Sequence, residues 1–175
     1  MIRCVIDNAL PPEEYRTLEY IVHGNEIDWK LHNGTVGTPI NFGDWRFTHI
    51  IYHQRAELNT KYKFDFMPIF NYLKIASLIS CKLNCDVYTV KPEQRPWHTD
   101  QGFHTDCTFT SIFYFNDCDG KTIFKDGFSV ESKRNRILIF NSELEHAGVT
   151  QTNAPRRYVL NTNFIADPSN YQTSS

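Results

Sequence analysis

Two short motifs of one type, His98-Thr-Asp100 and His104-Thr-Asp106, start six residues apart, and a further histidine, His146, follows 46 positions after Asp100. Two imidazoles and one carboxylate on one face of a metal ion leave three coordination positions open. That arrangement suits Fe(II) where a bidentate ligand and O2 must both reach the ion. The single carboxylate leaves residual positive charge on the bound metal, which can hold an anionic ligand. A lone His-x-Asp is a weak signal, because so short a pattern recurs in loops by chance. Its context here adds weight: the motif precedes one strand, His146 lies between two later ones, and a basic residue, Arg157, opens the last.

The elements that must position these residues follow from pattern. Residues 11–24 open with two prolines and two glutamates, place Tyr15, Leu18, Ile21 and Val22 on one side and close on Gly24, which predicts an amphipathic helix. A second helix is expected over 65–76, with Asp65 as N-cap, Pro68 in the first turn, and Phe66, Ile69, Phe70 and Leu73 at helical spacing. Runs at 46–53, 82–89, 110–115, 121–124, 136–140 and 157–164 are short, β-branched or aromatic and bounded by turn residues, so they read as strands. Helices followed by many short strands predict an α+β fold, mainly β, whose second half is an antiparallel sandwich or jelly roll. Along the last strand Arg157, Asn161 and Asn163 share one face by the period of two, so both asparagines are expected to line the same cavity.

Composition closes off other classes. The chain has 175 residues, 41% hydrophobic and 22% charged, which excludes disordered, collagen-like and coiled-coil chains and fits one domain over 1–175 with a polar tail at 168–175. Eighteen Lys and Arg against twenty Asp and Glu give a net charge of −2, so nothing draws the whole molecule toward duplex nucleic acid or an anionic membrane, and only a local basic groove stays open. Five cysteines without paired spacing argue against a disulfide framework and a structural zinc site. With no leader-like start and no apolar run of membrane length, a cytoplasmic protein is expected.

The sequence resembles the Fe(II)- and 2-oxoglutarate-dependent dioxygenases, most closely the prolyl-hydroxylase-like branch and small oxygenases of that type from phage and marine bacteria. The segments carrying the resemblance are Arg46-Phe-Thr-His-Ile-Ile-Tyr52, Pro96-Trp-His-Thr-Asp100, Thr110-Ser-Ile-Phe-Tyr-Phe-Asn116, Asp119-Gly-Lys-Thr-Ile-Phe124, Asn135-Arg-Ile-Leu-Ile-Phe140, His146 and Arg156-Arg-Tyr-Val-Leu-Asn-Thr-Asn-Phe164. The resemblance implies a double-stranded β-helix, with 1–80 as a supporting region and 81–167 as the core. It implies iron held by His98, Asp100 and His146, with Fe(II), 2-oxoglutarate and O2 as the cofactor set. Arg157 would pair with the distal carboxylate of 2-oxoglutarate, Tyr114 would donate to the same carboxylate, and Tyr88 would reach the co-substrate from a neighbouring strand. The implied reaction couples decarboxylation of 2-oxoglutarate to succinate and CO2 with hydroxylation of a C–H bond. A peptide or protein side chain is the favoured substrate, and a small metabolite or a nucleobase would use the same core.

His104 and Asp106 stand as the alternative metal pair. The family spacing favours the first pair, since Tyr88 is ten before His98 and Thr110 ten after Asp100, which leaves His104 for the substrate loop. A cupin-like jelly-roll metalloprotein that does without 2-oxoglutarate is the competing reading, and Arg157 with Tyr114 discriminates against it; a catalytically silent scaffold would have lost a triad member. Other residues take plainer readings. Arg156 is solvated, Lys133, Arg134 and Arg136 form an exposed basic turn, His49 and His53 are structural or at the cavity rim, Trp97 is shield or core, and Cys81 and Cys85 are core.

Overall fold

Helix α1 (Pro12–His23) forms where the proline, acid and apolar pattern requires it, with Glu13 and Glu14 in its first turn and Gly24 at its end. Its buried stripe is Tyr15, Leu18 and Val22. The structure, a computed structural model, describes residues 2–33, 45–54, 62, 64–100 and 105–171. Helix α2 (Met67–Tyr72) is shorter than the 65–76 expected. Asp65 does not cap it: the cap position is Phe66, without a side-chain hydrogen bond, and Lys74 at φ 48° turns the chain out of the helix.

The strands are β1 (Arg3–Asp7), β2 (Lys30–Asn33), β3 (Trp45–His53), β4 (Ser77–Val87), β5 (Thr108–Tyr114), β6 (Lys121–Phe124), β7 (Ser129–Glu131), β8 (Arg136–Asn141), β9 (His146–Val149) and β10 (Arg156–Ile165). Every pairing is antiparallel. A seven-stranded sheet runs β1-β8-β5-β10-β4-β3-β2 and a three-stranded sheet runs β7-β6-β9. Isolated bridges join Gln94 to Val149 and His98 to His146, so the 94–98 segment lies along β9 as a loosely paired fourth member of the small sheet. This is a double-stranded β-helix, a jelly roll, with helices packed on one sheet.

Alternation along the central strands separates two environments. One face of the large sheet carries Cys81, Leu83 and Cys85 of β4, Phe109 and Phe113 of β5, Ile137 and Ile139 of β8 and Leu160 and Phe164 of β10; these join Tyr15, Leu18 and Val22 of α1 and Ile69 and Phe70 of α2 in the main core. The Tyr15 hydroxyl donates to the Phe115 carbonyl at 2.7 Å, fixing the helix to the chain just past the end of β5. The other face meets the small sheet through a smaller apolar cluster, Ile112, Tyr114, Phe124, Val130, Leu138, Phe140 and Val159. Beyond that cluster the same face turns polar.

The basic turn pairs with acids: Lys133 and Arg136 reach Asp7, and Arg134 reaches Glu19. All five cysteines are free. The described part of the 168–175 segment is held in place, because Pro168–Tyr171 forms a 3₁₀ turn and the buried Tyr171 donates to the Leu73 carbonyl. Among the described residues no helix is long and apolar enough to cross a membrane. Leu18, 1% exposed at the centre of the helix-sheet contact, sets a test of this packing. Leu18→Ala is expected to lower unfolding free energy by about 2–5 kcal/mol in a denaturant titration, and a loss well under 1 kcal/mol would contradict the packing.

Candidate metal centre

His98 and His146 face each other across the bridge beside β9. The His98 N–H donates to the His146 carbonyl at 3.1 Å and the His146 N–H to the His98 carbonyl at 3.0 Å. Directly opposed residues of an antiparallel pair project to one face, so the two rings lie with centroids 4.5 Å apart. Each ring is then oriented by the same local device. His98 Nδ1–H donates to the Pro96 carbonyl at 3.1 Å, and His146 Nδ1–H donates to the Leu144 carbonyl at 3.0 Å. A carbonyl only accepts, so each Nδ1 carries a proton, and in the neutral ring each Nε2 presents a lone pair. Burial, and next the neighbouring His146, hold His98 below its ordinary pKa and keep the ring neutral.

Asp100 closes the triangle. Its Oδ2 lies 3.5 Å from His146 Nε2 and its Oδ1 3.8 Å from His98 Nε2. The ligand atoms of His98, Asp100 and His146 all lie within 4.8 Å of one another, the one such group among the described residues. Burial pushes the Asp100 carboxyl upward, but His146, Lys82, His98 and the Asn161 amide outweigh it and the net direction is down. Asn161 and Asn163, expected as cavity lining, do more than line. Asn161 Nδ2 donates to Asp100 Oδ2 at 3.2 Å, Asn163 Nδ2 donates to Asn161 Oδ1 at 3.3 Å and to Ser80 Oγ at 3.0 Å, and the Thr110 hydroxyl donates to Asn163 Oδ1 at 2.9 Å. The last strand thus orients the carboxylate through a chain of amides.

A second polar cluster surrounds Arg157, which is 3% exposed. Its Nη1 donates to Asp86 Oδ2 at 3.3 Å and its Nη2 to Thr122 Oγ1 at 3.5 Å. The guanidinium carbon lies 5.5 Å from the Tyr114 ring centre, and the Tyr114 hydroxyl donates to Thr122 at 2.9 Å. Arg157 Nε is buried without a hydrogen-bond partner. Asp86 is shared, because Arg95 Nη2 donates to its Oδ1 at 3.1 Å. Burial raises the Asp86 carboxyl, yet Arg46, Arg157 and Arg95 together hold it below the ordinary carboxylate range. Gly120 leaves the room: a Cβ there would sit 2.7 Å from Arg157 Cδ and 3.3 Å from its Nε, inside van der Waals contact.

The expected residues sort as follows. His98, Asp100 and His146 come together, Arg157 and Tyr114 adjoin each other, and His104 lies outside the described residues while Asp106 is exposed in the turn before β5. Tyr88 lies one residue beyond β4, which ends at Val87, and stands 51% exposed, whereas Asn84 and Asp86 before it are buried. His49 is structural, buried with its Nδ1–H on the Asp28 carbonyl at 2.9 Å, whereas His53 is exposed. Sequence reasoning missed Lys82, Asp86, Arg95, Gly120 and Thr122. For the β4 pair the signal was present, as polar Lys82, Asn84 and Asp86 alternate with apolar Leu83 and Cys85.

No protein-family model matches the chain, and no curated protein does. Solved structures do. A Pseudomonas putida prolyl-4-hydroxylase is 16% identical with a TM-score of 0.60, covering 94% of this chain and 92% of that one. A 2OG-Fe(II) oxygenase family oxidoreductase from Burkholderia pseudomallei is 10% identical with a TM-score of 0.62, over 98% and 89% of the two chains. A Trichoplax adhaerens prolyl hydroxylase, in complex with a peptide fragment of the hypoxia-inducible factor oxygen degradation domain, is 13% identical with a TM-score of 0.64, over 93% and 83%. The chain therefore has the fold of these oxygenases along nearly its whole length.

The histidine geometry is testable without any ligand. Long-range ¹H–¹⁵N correlation spectra at neutral pH are expected to give the Nδ1–H tautomer for both His98 and His146 in metal-free protein. An Nε2–H pattern at either ring would contradict the orientation described.

Proposed function

We propose that the protein is an Fe(II)- and 2-oxoglutarate-dependent dioxygenase that hydroxylates a C–H bond while converting 2-oxoglutarate and O2 to succinate and CO2. The observation that carries this reading is the donor set. Two Nε2 atoms and a carboxylate converge, and with both rings in their neutral form all three are acceptors, an arrangement that is repulsive by itself and becomes favourable when a cation lies among them. Two imidazoles and one carboxylate fit Fe(II) with coordination positions left open, so His98, Asp100 and His146 would hold the metal. When bound, the metal supplies the redox chemistry between O2 and 2-oxoglutarate that oxidises the substrate.

The chain's own residues then hold, orient and exclude water. The Nδ1–H bonds to the Pro96 and Leu144 carbonyls keep both rings aimed, and Asn161 keeps Asp100 from turning away. Arg157 would receive the distal carboxylate of 2-oxoglutarate. Its buried Nε–H, a donor lacking an acceptor, and the Tyr114–Thr122 hydroxyl pair beside it fit an incoming anion. Asp86, gripped from its other side by Arg95, fixes the guanidinium in place before the anion arrives. The apolar cluster of Phe124, Leu138 and Phe140 closes the space between the sheets and keeps water from it. Hydroxylation of a peptide or protein side chain is the substrate class favoured here, supported by the prolyl hydroxylases among the structures of the same fold.

Anaerobic addition of Fe(II) and then 2-oxoglutarate is expected to give the visible charge-transfer band of the chelated co-substrate in wild type and in His104→Ala, and none in His98→Ala or His146→Ala. A band lost only in His104→Ala would move the metal pair to His104 and Asp106, and no band in wild type would favour a cupin-like metalloprotein. Arg157→Ala is expected to weaken 2-oxoglutarate binding by about 2–5 kcal/mol. Gly120→Ala, which displaces the same side chain, should weaken it in the same direction, and an unchanged 2-oxoglutarate requirement in both variants would contradict the role of Arg157.

A further inference from the structure

Lys82 is a partly buried cation beside the metal triad that neither iron nor 2-oxoglutarate calls for. It stands on β4 in the polar row that continues to Asn84 and Asp86, between Ile50 of β3 and Asn161 of β10. Its charge acts on Asp100 and on His98, and burial and then Arg46 hold its ammonium below the ordinary lysine range against the pull of Asp100. Among the described residues no carboxylate forms an ion pair with it. Next in the row, Asn84 is 5% exposed and its Oδ1 has no hydrogen-bond partner. A cation and an amide oxygen left in this state on one face of a strand cost free energy unless a ligand meets them.

The charge arrangement points the same way. Arg46, Arg95 and Arg157 all act on Asp86, whereas Lys82 acts on Asp100. Asp100 would be taken up by the metal, which leaves Lys82 with no carboxylate of its own among the described residues. Arg157 is committed to the co-substrate end through Asp86 and Thr122. Lys82 lies at the other end, by the metal ligands, where the oxidised C–H bond must come.

We propose that the primary substrate carries a carboxylate and that Lys82 receives that group and so sets which C–H bond approaches the metal. This rests on the oxygenase reading above. The carboxylate comes from an acidic residue of a peptide or from a free amino acid, and the ion pair with Lys82 is the same in both.

Wild type, Lys82→Met and Lys82→Arg are loaded with Fe(II) and 2-oxoglutarate, with the charge-transfer band as the check of loading. Succinate formation above the unstimulated rate is then measured with free amino acids against their amides, and with amidated peptides containing Asp or Glu against the same peptides with Asn or Gln. One carboxylate set is expected to exceed its neutral counterpart about tenfold or more in wild type. The preference should vanish in Lys82→Met and return in Lys82→Arg. Calorimetry of the best probe on protein loaded with Zn(II) and 2-oxoglutarate should give a Kd raised about tenfold or more in Lys82→Met. Neutral probes that stimulate equally well, a panel in which nothing stimulates, or a Lys82→Met variant that keeps the preference while losing metal affinity would each overturn the proposal. A wild type without the band removes the oxygenase reading, and this assignment with it.

Discussion

The reciprocal backbone hydrogen bonds between His98 and His146 are the constraint on which the site depends. They join two positions far apart in sequence by one antiparallel pair and thereby place both imidazoles on the same face. A slip of one residue on either side would turn one ring to the opposite face, since strand side chains alternate. The pair is held because β9 is itself held, by β6 on one side and on the other by backbone bonds from Arg95 to the Gly148 carbonyl and from Thr150 to the Glu93 carbonyl. Each ring then takes its tautomer from the carbonyl two residues before it, so the geometry of one short bridge decides which nitrogen faces inward.

Around that bridge the fold divides its labour by face. The outward face of the large sheet is apolar and carries the stability of the domain through α1 and α2, while the inward face is apolar only at one end. At the other end it holds a row of charges and amides that would be costly in an ordinary core. Most of them are tied to one another: Asp86 joins Arg95 to Arg157, and the Asn161–Asn163 pair joins Asp100 to Thr110 and Ser80. Low polarity around these groups strengthens the pairs that are made and raises the cost of any left open. That explains why the site is built from bridges rather than from single contacts.

Much of this was legible in the residues. α1 could be read because prolines, acids and an apolar stripe all agreed, and β3, β5, β6, β8 and β10 because β-branched and aromatic runs ended in turn residues. β1, β2, β7 and β9 were not read, because each is three to five residues long and pairs only through tertiary context. β9 contains the glycine of His146-Ala-Gly-Val149, which weakens any strand signal. Motif order offered two His-x-Asp pairs to join His146, and the family resemblance favoured His98 with Asp100 and singled out Arg157 on the last strand. The exposure of Tyr88 was not legible, because spacing from His98 counts residues without knowing where β4 stops. Asp86 and Arg95 escaped notice since a bridge between a strand and a loop leaves no periodic trace, and Gly120 because its role is the space it leaves.

The central claim is that one metal ion sits between His98, Asp100 and His146. The most direct measurement is anomalous diffraction at the iron edge from crystals grown and loaded with Fe(II) under anaerobic conditions. The account predicts a single strong peak bonded to Nε2 of both histidines and to the Asp100 carboxylate, with Nδ1 of each ring still on its carbonyl. A peak held by Asp106 instead, or no peak at the triad in metal-saturated crystals, would contradict it.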